Sequence, residues 1–410
     1  MSKNTAVVLA GGVPQIVLLN KLKAKGYRTV LVDFTEHPVA EKYADAFYRE
    51  STLDLDAVRK TAIAESASLI ITCCTDQAML TVSRLSEDLK LPCYVDAETG
   101  LRVTNKAYMK QIFQENGIPS AKYAVIDRNT SLPSFDYPLV VKPVDCNSSK
   151  GVRKVCCSAE LAVAVSNALS MSRDGRAIVE EYVEGEELSL DCYIVDGTVK
   201  VLCVSRSDKL SVTGGFVISR GFYAPVYMSS YLGQAEQIAQ QIADAFCLRQ
   251  GPMLVQCIAE KQGIKVIEFS ARTGGCIKYE MIERVSGVDV IGSMLESTLG
   301  KTPTIEPSYS NSIVSDEFVY TKEGVFGSVV GAQECVDEGL ISSYHILHSP
   351  GKVMGGISCS GDRVLAFTIV AKTESEYKFK LKEVALKIDV LDVLGNSIIR
   401  RDLLAGVNDE

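Results

Sequence analysis

A parallel α/β layer leading into a larger α+β body, closed by a small α+β unit, is the architecture expected of this 410-residue chain. Three observations carry the expectation. The first ~95 residues alternate strand and helix periodicities, the next ~200 are dominated by strands separated by short turns, and the last ~110 combine strands with one charged helix.

In chain order, an apolar run at 6–10, a helical pattern carrying Ile16, Leu19 and Leu22 up to Gly26, and a second run at 29–33 make a βαβ unit. Residues 69–74 read as a further buried strand, and Asp76 as the cap of a helix that points Leu80, Val82, Leu85 and Leu89 to a core before Pro92. A helix over 105–117 ends at Gly117 ahead of Pro119, and a junction is expected nearby. Strands follow at 121–126, 139–142, 152–157, 177–183, 188–195, 199–205, 216–222, 253–260 and 265–270, with helices at 159–172, 233–247 and 278–299. Asp196-Gly197 is a hairpin signal and 261–263 a short loop, so antiparallel pairing is expected. Strands at 313–319 and 364–371 and a helix at 374–387 form the last unit. The expected divisions are 1–100, 101–305 with a lid subdomain at about 120–183, and 306–410.

Composition narrows the function classes. The 47% hydrophobic and 23% charged content is that of a globular protein, which sets disorder aside. With 43 Lys and Arg against 51 Asp and Glu, a net charge of -8 offers no general attraction to phosphate backbones or anionic lipid, so no nucleic acid partner is expected. The longest apolar runs are strand-sized, far below the roughly 20 residues of a membrane span. The first four residues carry no export pattern, and thirteen scattered cysteines include no CxxC pair; both point to a reduced, cytoplasmic protein with buried thiols.

Two phosphate-binding signatures are incomplete. Gly11-Gly12 at the first strand-to-helix turn lacks the GxGxxG spacing, Asp33 is its only hint of a ribose carboxylate, and a tight structural turn describes it equally well. Gly300-Lys301-Thr302 mimics the end of a P-loop, but Leu295 stands where the first glycine belongs.

Three other segments carry more. Val140-Val141-Lys142-Pro143 delivers a lysine from a strand into the small-residue loop 145–152, a recipe for an ammonium and a lid of backbone amides over a triphosphate, or for a plain hairpin. Residues 178–191 turn an apolar strand acidic at Glu180, Glu181, Glu184, Glu186 and Glu187, presenting polar groups to adenine and ribose or forming a solvated turn. On a third strand, Glu268, Ser270 and Arg272 share one face while Ile267, Phe269 and Ala271 take the other. If a hairpin forms around Gly263, Gln256 lies near Glu268, so oxygen ligands suited to Mg²⁺ meet an arginine suited to a phosphoryl group; the plainer reading is an exposed ion pair.

The order and spacing of these segments resembles the ATP-grasp superfamily, whose two α+β subdomains clamp ATP, and the last unit resembles that of the biotin-carboxylase-like and amino-acid-ligase branches. The resemblance covers most of the chain. It implies ATP as cofactor with one or two Mg²⁺ ions, Mn²⁺ being an alternative. Lys106 and Lys142 would contact phosphates, with Lys209 a further match. Ser148, Ser149 and Gly151 match the lid, Glu180, Glu181, Tyr182 and Val183 the linker that binds adenine, and Glu187 the ribose carboxylate. Glu268 matches the metal-bridging carboxylate, with Gln256 and Ser270 completing the oxygen ligands, and Arg272 matches the arginine that stabilises an acyl-phosphate. Gln256 and Ser270 depart from the commoner acidic residue and Asn.

The activity this resemblance implies is that of an ATP-dependent ligase, which activates a carboxylate as an acyl-phosphate and joins it to an amine, releasing ADP and phosphate, with amino acids or another small metabolite as the substrates it leaves open. Its partners would be small-molecule carboxylate and amine substrates, with no membrane and with a homodimer left open. Carboxyphosphate or carbamoyl-phosphate chemistry, and a nucleotide-binding regulator without turnover, stay as alternatives. Substrate residues are expected on loops 211–220 and 272–278, Arg220 serving as carboxylate anchor. The three histidines, His37, His345 and His348, supply no evident general base.

Overall fold

Side-chain alternation in the first strand sets the N-terminal layer. In β1 (Thr5–Leu9) every residue is buried: Val7 and Leu9 join Val30, Val32 and Ile70 on one face, and Ala6 and Val8 join Leu31, Leu69 and Ile71 on the other. A strand covered on both sides belongs in a parallel sheet. The sheet order is β3 (Ala46–Arg49), β2 (Arg28–Asp33), β1, β4 (Ala67–Ile71), all parallel. Helix α1 (Val13–Ala24) covers one face, and α2 (Leu55–Ala64) and α3 (Asp76–Leu89) cover the other. The computed structural model describes residues 4–147, 149–210, 216–261 and 263–404.

Helices α4 (Ala97–Thr104) and α5 (Lys106–Glu115) lead out of this layer; the Asn105 side chain accepts from the Ala107 amide and so starts α5 within the expected span 105–117. A four-stranded antiparallel sheet comes next in the order β5 (Tyr123–Ile126), β8 (Ala177–Glu181), β6 (Leu139–Pro143), β7 (Arg153–Val155), backed by α6 (Ser158–Met171) with its own small apolar cluster.

The largest element is an eight-stranded sheet: β13 (Gly263–Ser270), β12 (Gly251–Glu260), β9 (Glu186–Val195), β10 (Thr198–Lys209), β11 (Ile218–Tyr223), β14 (Ile313–Val319), β18 (Leu365–Ala371) and β16 (Ser343–Ile346). It crosses residue 305 without a break, since β11 pairs antiparallel with β14 from Arg220 opposite Glu317 to Tyr223 opposite Val314. Helices α7 (Pro225–Ala245), α8 (Lys278–Ser286) and α9 (Val290–Thr298) flank it. A three-stranded sheet of β15 (Gly324–Val330), β17 (Val353–Met354) and β19 (Asp389–Asp392), with α10 (Ala332–Asp337) and α11 (Glu374–Lys387), completes the chain.

Three local expectations change. The single helix at 278–299 is two, because Gly287 takes a left-handed φ of 75° after α8 and the Asp289 carboxylate caps α9. Asp76 is not the cap of α3: Thr75 stands at that position and the Asp76 carboxylate goes elsewhere. The thiols are not uniformly buried; Cys156 and Cys157, at the junction of β7 and α6, and Cys247 are exposed, and all thirteen are free.

Candidate active site

The lid sheet and the large sheet face each other across two connected cavities. One, of about 250 Å³, is lined by Lys106, Lys110, Lys142, Glu180, Glu181, Tyr182, Val183, Glu187, Lys209, Gln256 and Glu268. The other, of about 310 Å³, shares Lys106, Lys209, Gln256 and Glu268 and adds Asp76, Ser270, Arg272, Lys278, Asp316 and Arg363. Ser149 lines both. Most residues picked out from the sequence therefore meet in one cleft. Gly151 does not line it; at a φ of 74° beside Pro143 it serves the loop's turn. Ser148 lies outside the described residues, as do residues 211–215 of the expected substrate loop.

Lys142 leaves β6 directly opposite Ile178 of β8, which brings it to Glu180 two residues on. Glu180 is buried and ion-paired both to Lys142 and to Lys110, the latter at 3.2 Å. Burial opposes its ionisation, but the two ammonium groups win and hold the carboxyl below its ordinary range. Burial also lowers Lys110, against the pull of Glu180. The Glu180 side chain is thus turned onto two lysines, leaving Glu181 to Val183 as the linker's remaining contribution to the cavity. Lys154 lies 3.6 Å over the Tyr182 ring. The turn before β9 sits against β12, where a Cβ on Gly185 would come within 2.3 Å of the Ala259 carbonyl oxygen, so only glycine fits.

At the waist between the cavities, Lys106 from the first turn of α5 pairs with Glu268 at 3.2 Å and donates to the Cys146 carbonyl at 2.7 Å. Burial disfavours both charges, yet each stabilises the other: the Lys106 ammonium is held above its usual value and the Glu268 carboxyl below. Gln256 and Glu268 are direct partners in the β12–β13 ladder, as the hairpin around Gly263 predicts. A bulge follows, with Cys257 opposite Val266, and Ile267 lines the first cavity beside Glu268, not the opposite face that strict alternation gives it. Lys209 pairs with Glu187 at 2.7 Å.

Arg272 is fixed from the N-terminal layer. Its Nε donates to Asp76 Oδ1 at 2.6 Å, a terminal nitrogen pairs with Asp76 Oδ2, and the other donates to the Thr273 carbonyl at 2.7 Å. Burial opposes both charges, and the mutual field wins, lowering the Asp76 carboxyl and raising the guanidinium. Each terminal nitrogen keeps a further N–H for a ligand. Lys278 lies 3.3 Å from Asp191, whose carboxyl burial nonetheless pushes up. Arg220 does not line either cavity; it is bound to Asp208 and to the Tyr377 hydroxyl, so it is no carboxylate anchor here.

Lys278, at the end of the expected substrate loop 272–278, does line the larger cavity, whereas sequence reasoning missed Lys110, Asp76, Asp316 and Arg363 as site residues. Lys110 was within reach, because four residues after Lys106 on a helix it shares that face. The others arrive from distant segments with no local signature.

A cleft between two sheets, carrying several buried ammonium groups, a guanidinium and a cluster of oxygen donors, is built to hold a polyanion. The family model described as an ATP-grasp domain matches residues 135–280. The phosphoribosylamine–glycine ligase of Lactococcus lactis is 27% identical over 222 residues, 49% of this chain and 52% of that protein, so the chain spans about half the length of that curated relative. An L-amino acid ligase structure from Bacillus licheniformis superposes with a TM-score of 0.78 at 18% identity, covering 96% of this chain and 100% of that one. The biotin carboxylase domain dimer of the Hydrogenobacter thermophilus 2-oxoglutarate carboxylase, in complex with MgADP, ADP and bicarbonate, superposes at 0.77 with 13% identity, covering 98% and 93%. At these identities the two structures show a shared fold. Among the described residues no helix is long and apolar enough to cross a membrane.

Proposed function

We propose that the protein is an ATP-dependent ligase that activates a substrate carboxylate as an acyl-phosphate and transfers the acyl group to an amine. The observation that carries this reading is the meeting of Lys106 and Lys209 with Glu268 and Gln256 at the waist of two joined cavities, with Lys110 and Lys142 in the smaller one. The smaller cavity takes the nucleotide. Glu181 to Val183 meet the base, Glu187 the ribose, Lys106, Lys142 and Lys209 the phosphates, and Ser149, on the loop that turns at Gly151, lies beside them. The pairs Lys209–Glu187 and Lys106–Glu268 hold these cations ready for phosphate oxygens.

Glu268, Gln256 and Ser270 offer one carboxylate and two neutral oxygens, a donor set that suits a hard cation such as Mg²⁺, and they are the residues that would hold it. Bound there, the ion would neutralise charge on the transferring phosphoryl group. In the larger cavity the substrate carboxylate oxygen attacks the γ-phosphorus, forming an acyl–O–P bond as the bond to ADP breaks. Arg272, aimed by Asp76, stabilises the acyl-phosphate; the amine then adds to the acyl carbon and inorganic phosphate leaves.

We also assign the protein to the cytoplasm, on its unpaired cysteines, and to a homodimer, on its likeness to the biotin carboxylase domain dimer. Carboxyphosphate chemistry is the second reading, supported by Gln256 and that same likeness; ADP release that depends on bicarbonate in place of an organic acid would select it.

The test is ADP release from MgATP across a panel of carboxylic acids and amines, with calorimetry of nucleotide binding. Glu268→Ala is expected to lower turnover about 100-fold or more. Absence of heat on titrating MgATP, or full turnover in Glu268→Ala, would overturn the proposal.

A further inference from the structure

The chain leaving β6 is held at three consecutive backbone carbonyls, and two of the three go to one residue. The Lys106 amide donates to the Val144 carbonyl at 2.8 Å, and the Lys106 ammonium donates to the Cys146 carbonyl at 2.7 Å. Between them, the Asp145 carbonyl accepts from Gln77 Nε2 at 3.0 Å and from a terminal nitrogen of Arg173 at 2.9 Å. Arg173 follows α6, in the same lobe as the carbonyl it binds, and its side chain is half exposed. Gln77 comes from α3, and among the described residues no other side chain of the N-terminal layer hydrogen-bonds residues 144–146.

Gln77 follows Asp76 in the first turn of α3, and successive helical side chains diverge by about 100°, so one turn reaches two walls of the larger cavity. Asp76 holds Arg272 of the large sheet, and Gln77 holds the chain after β6. The turn itself is tied to α1, where buried Gln15 donates through Nε2 to the Cys73 carbonyl at 2.7 Å, just before the Thr75 cap. The peptide planes carrying the Asp145 and Cys146 carbonyls are joined only through the φ and ψ of Cys146, so anchoring the first restricts where the second can point. The second points at the Lys106 ammonium, which also pairs with Glu268 at 3.2 Å.

We propose that Gln77 is a positioning residue for Lys106: by anchoring the Asp145 carbonyl to the N-terminal layer it keeps the Cys146 carbonyl on the Lys106 ammonium, and so sets that cation for a triphosphate. The proposal rests on the reading of Lys106 as a phosphate contact and adds the residue that aims it. The start of α3 then serves both sides of the transfer, Asp76 through Arg272 and Gln77 through Lys106. A glutamine suits the task because its amide donates without charge, where a lysine at that position would bring a competing cation into the cavity.

Calorimetric titration of the full-length protein with MgATP and with adenosine compares the parent, Gln77→Met, Lys106→Met and the double variant; methionine keeps the length of glutamine and removes its donor. Gln77→Met is expected to weaken MgATP about three- to tenfold, with adenosine within about twofold of the parent, because base and ribose meet other residues. In the Lys106→Met background the same substitution should weaken MgATP by no more than about twofold. Unchanged MgATP affinity in Gln77→Met, an equal loss for adenosine, or a loss undiminished without Lys106 would overturn the proposal. A second measurement needs no nucleotide. Acylation of Lys106 by an N-hydroxysuccinimide ester, followed by peptide mass spectrometry, should run about threefold or more faster in Gln77→Met, and an unchanged rate would likewise overturn it. A parent that binds no MgATP would remove the ligase reading, and the acylation rates would still decide whether Gln77 aims Lys106.

Discussion

Replacing Asp316 with Asn should make the protein more stable above neutral pH and leave it nearly unchanged in acid. The Asp316 carboxyl titrates at about 7 against an ordinary 3.8 because it is buried; Lys278, the Thr368 hydroxyl and Arg284 pull it down, and Glu280, itself in contact with His345, pushes it up. The folded protein thus keeps a proton that the unfolded chain gives up. Below about pH 4 both states are protonated and no penalty exists. Between about pH 4 and 7 the unfolded chain ionises while the folded one does not, and stability falls; above about pH 7 the whole penalty stands. The gap between 3.8 and about 7 corresponds to about 4 kcal/mol. Asn carries no charge to bury. Urea denaturation at about pH 8 should therefore show Asp316→Asn ahead of the parent by up to ~4 kcal/mol, the lead shrinking to less than half near pH 5. Equal stabilities at alkaline pH, or a lead that widens on acidification, would refute the reasoning.

Glu180→Gln should destabilise by about 3–5 kcal/mol, since Lys110 and Lys142 would then face each other without their shared anion. A melting temperature equal to that of the parent would show that the two ammonium groups find other partners. Asp76→Asn should lower kcat about tenfold or more while leaving the ATP dissociation constant within about twofold, because it loosens Arg272 without touching the nucleotide cavity. A change confined to nucleotide affinity would count against it.

Much of the smaller cavity's lining was legible because its residues sit in short runs with local signatures. Lys142 follows an apolar strand into a small-residue loop, Glu180 to Glu187 interrupt another, and Gln256 and Glu268 meet through a hairpin whose loop the sequence marks at Gly263. The larger cavity was legible only in part, where Gln256, Glu268, Ser270 and Arg272 line it. Asp316 looks like one polar residue in a strand that the sequence places correctly, and Arg363 like one basic residue before the next; only the β14–β18 pairing brings them to one cavity. Asp76 was read as a cap because a carboxylate at a helix start is usually that, whereas a bidentate arginine some two hundred positions away holds it more strongly than an amide would. Arg220 erred in the other direction: its neighbours Asp208 and Tyr377 satisfy it before any substrate can.

The pairing of β11 with β14 has a consequence for how this polypeptide can be divided. A cut just past Thr304 would strip the hydrogen-bonding edge from Ile218–Tyr223 and uncover Tyr223, leaving an open strand of the kind that templates aggregation. It would also take Asp316 and Arg363 away with the severed segment. The polypeptide before residue 305 and the segment after it thus complete one sheet between them.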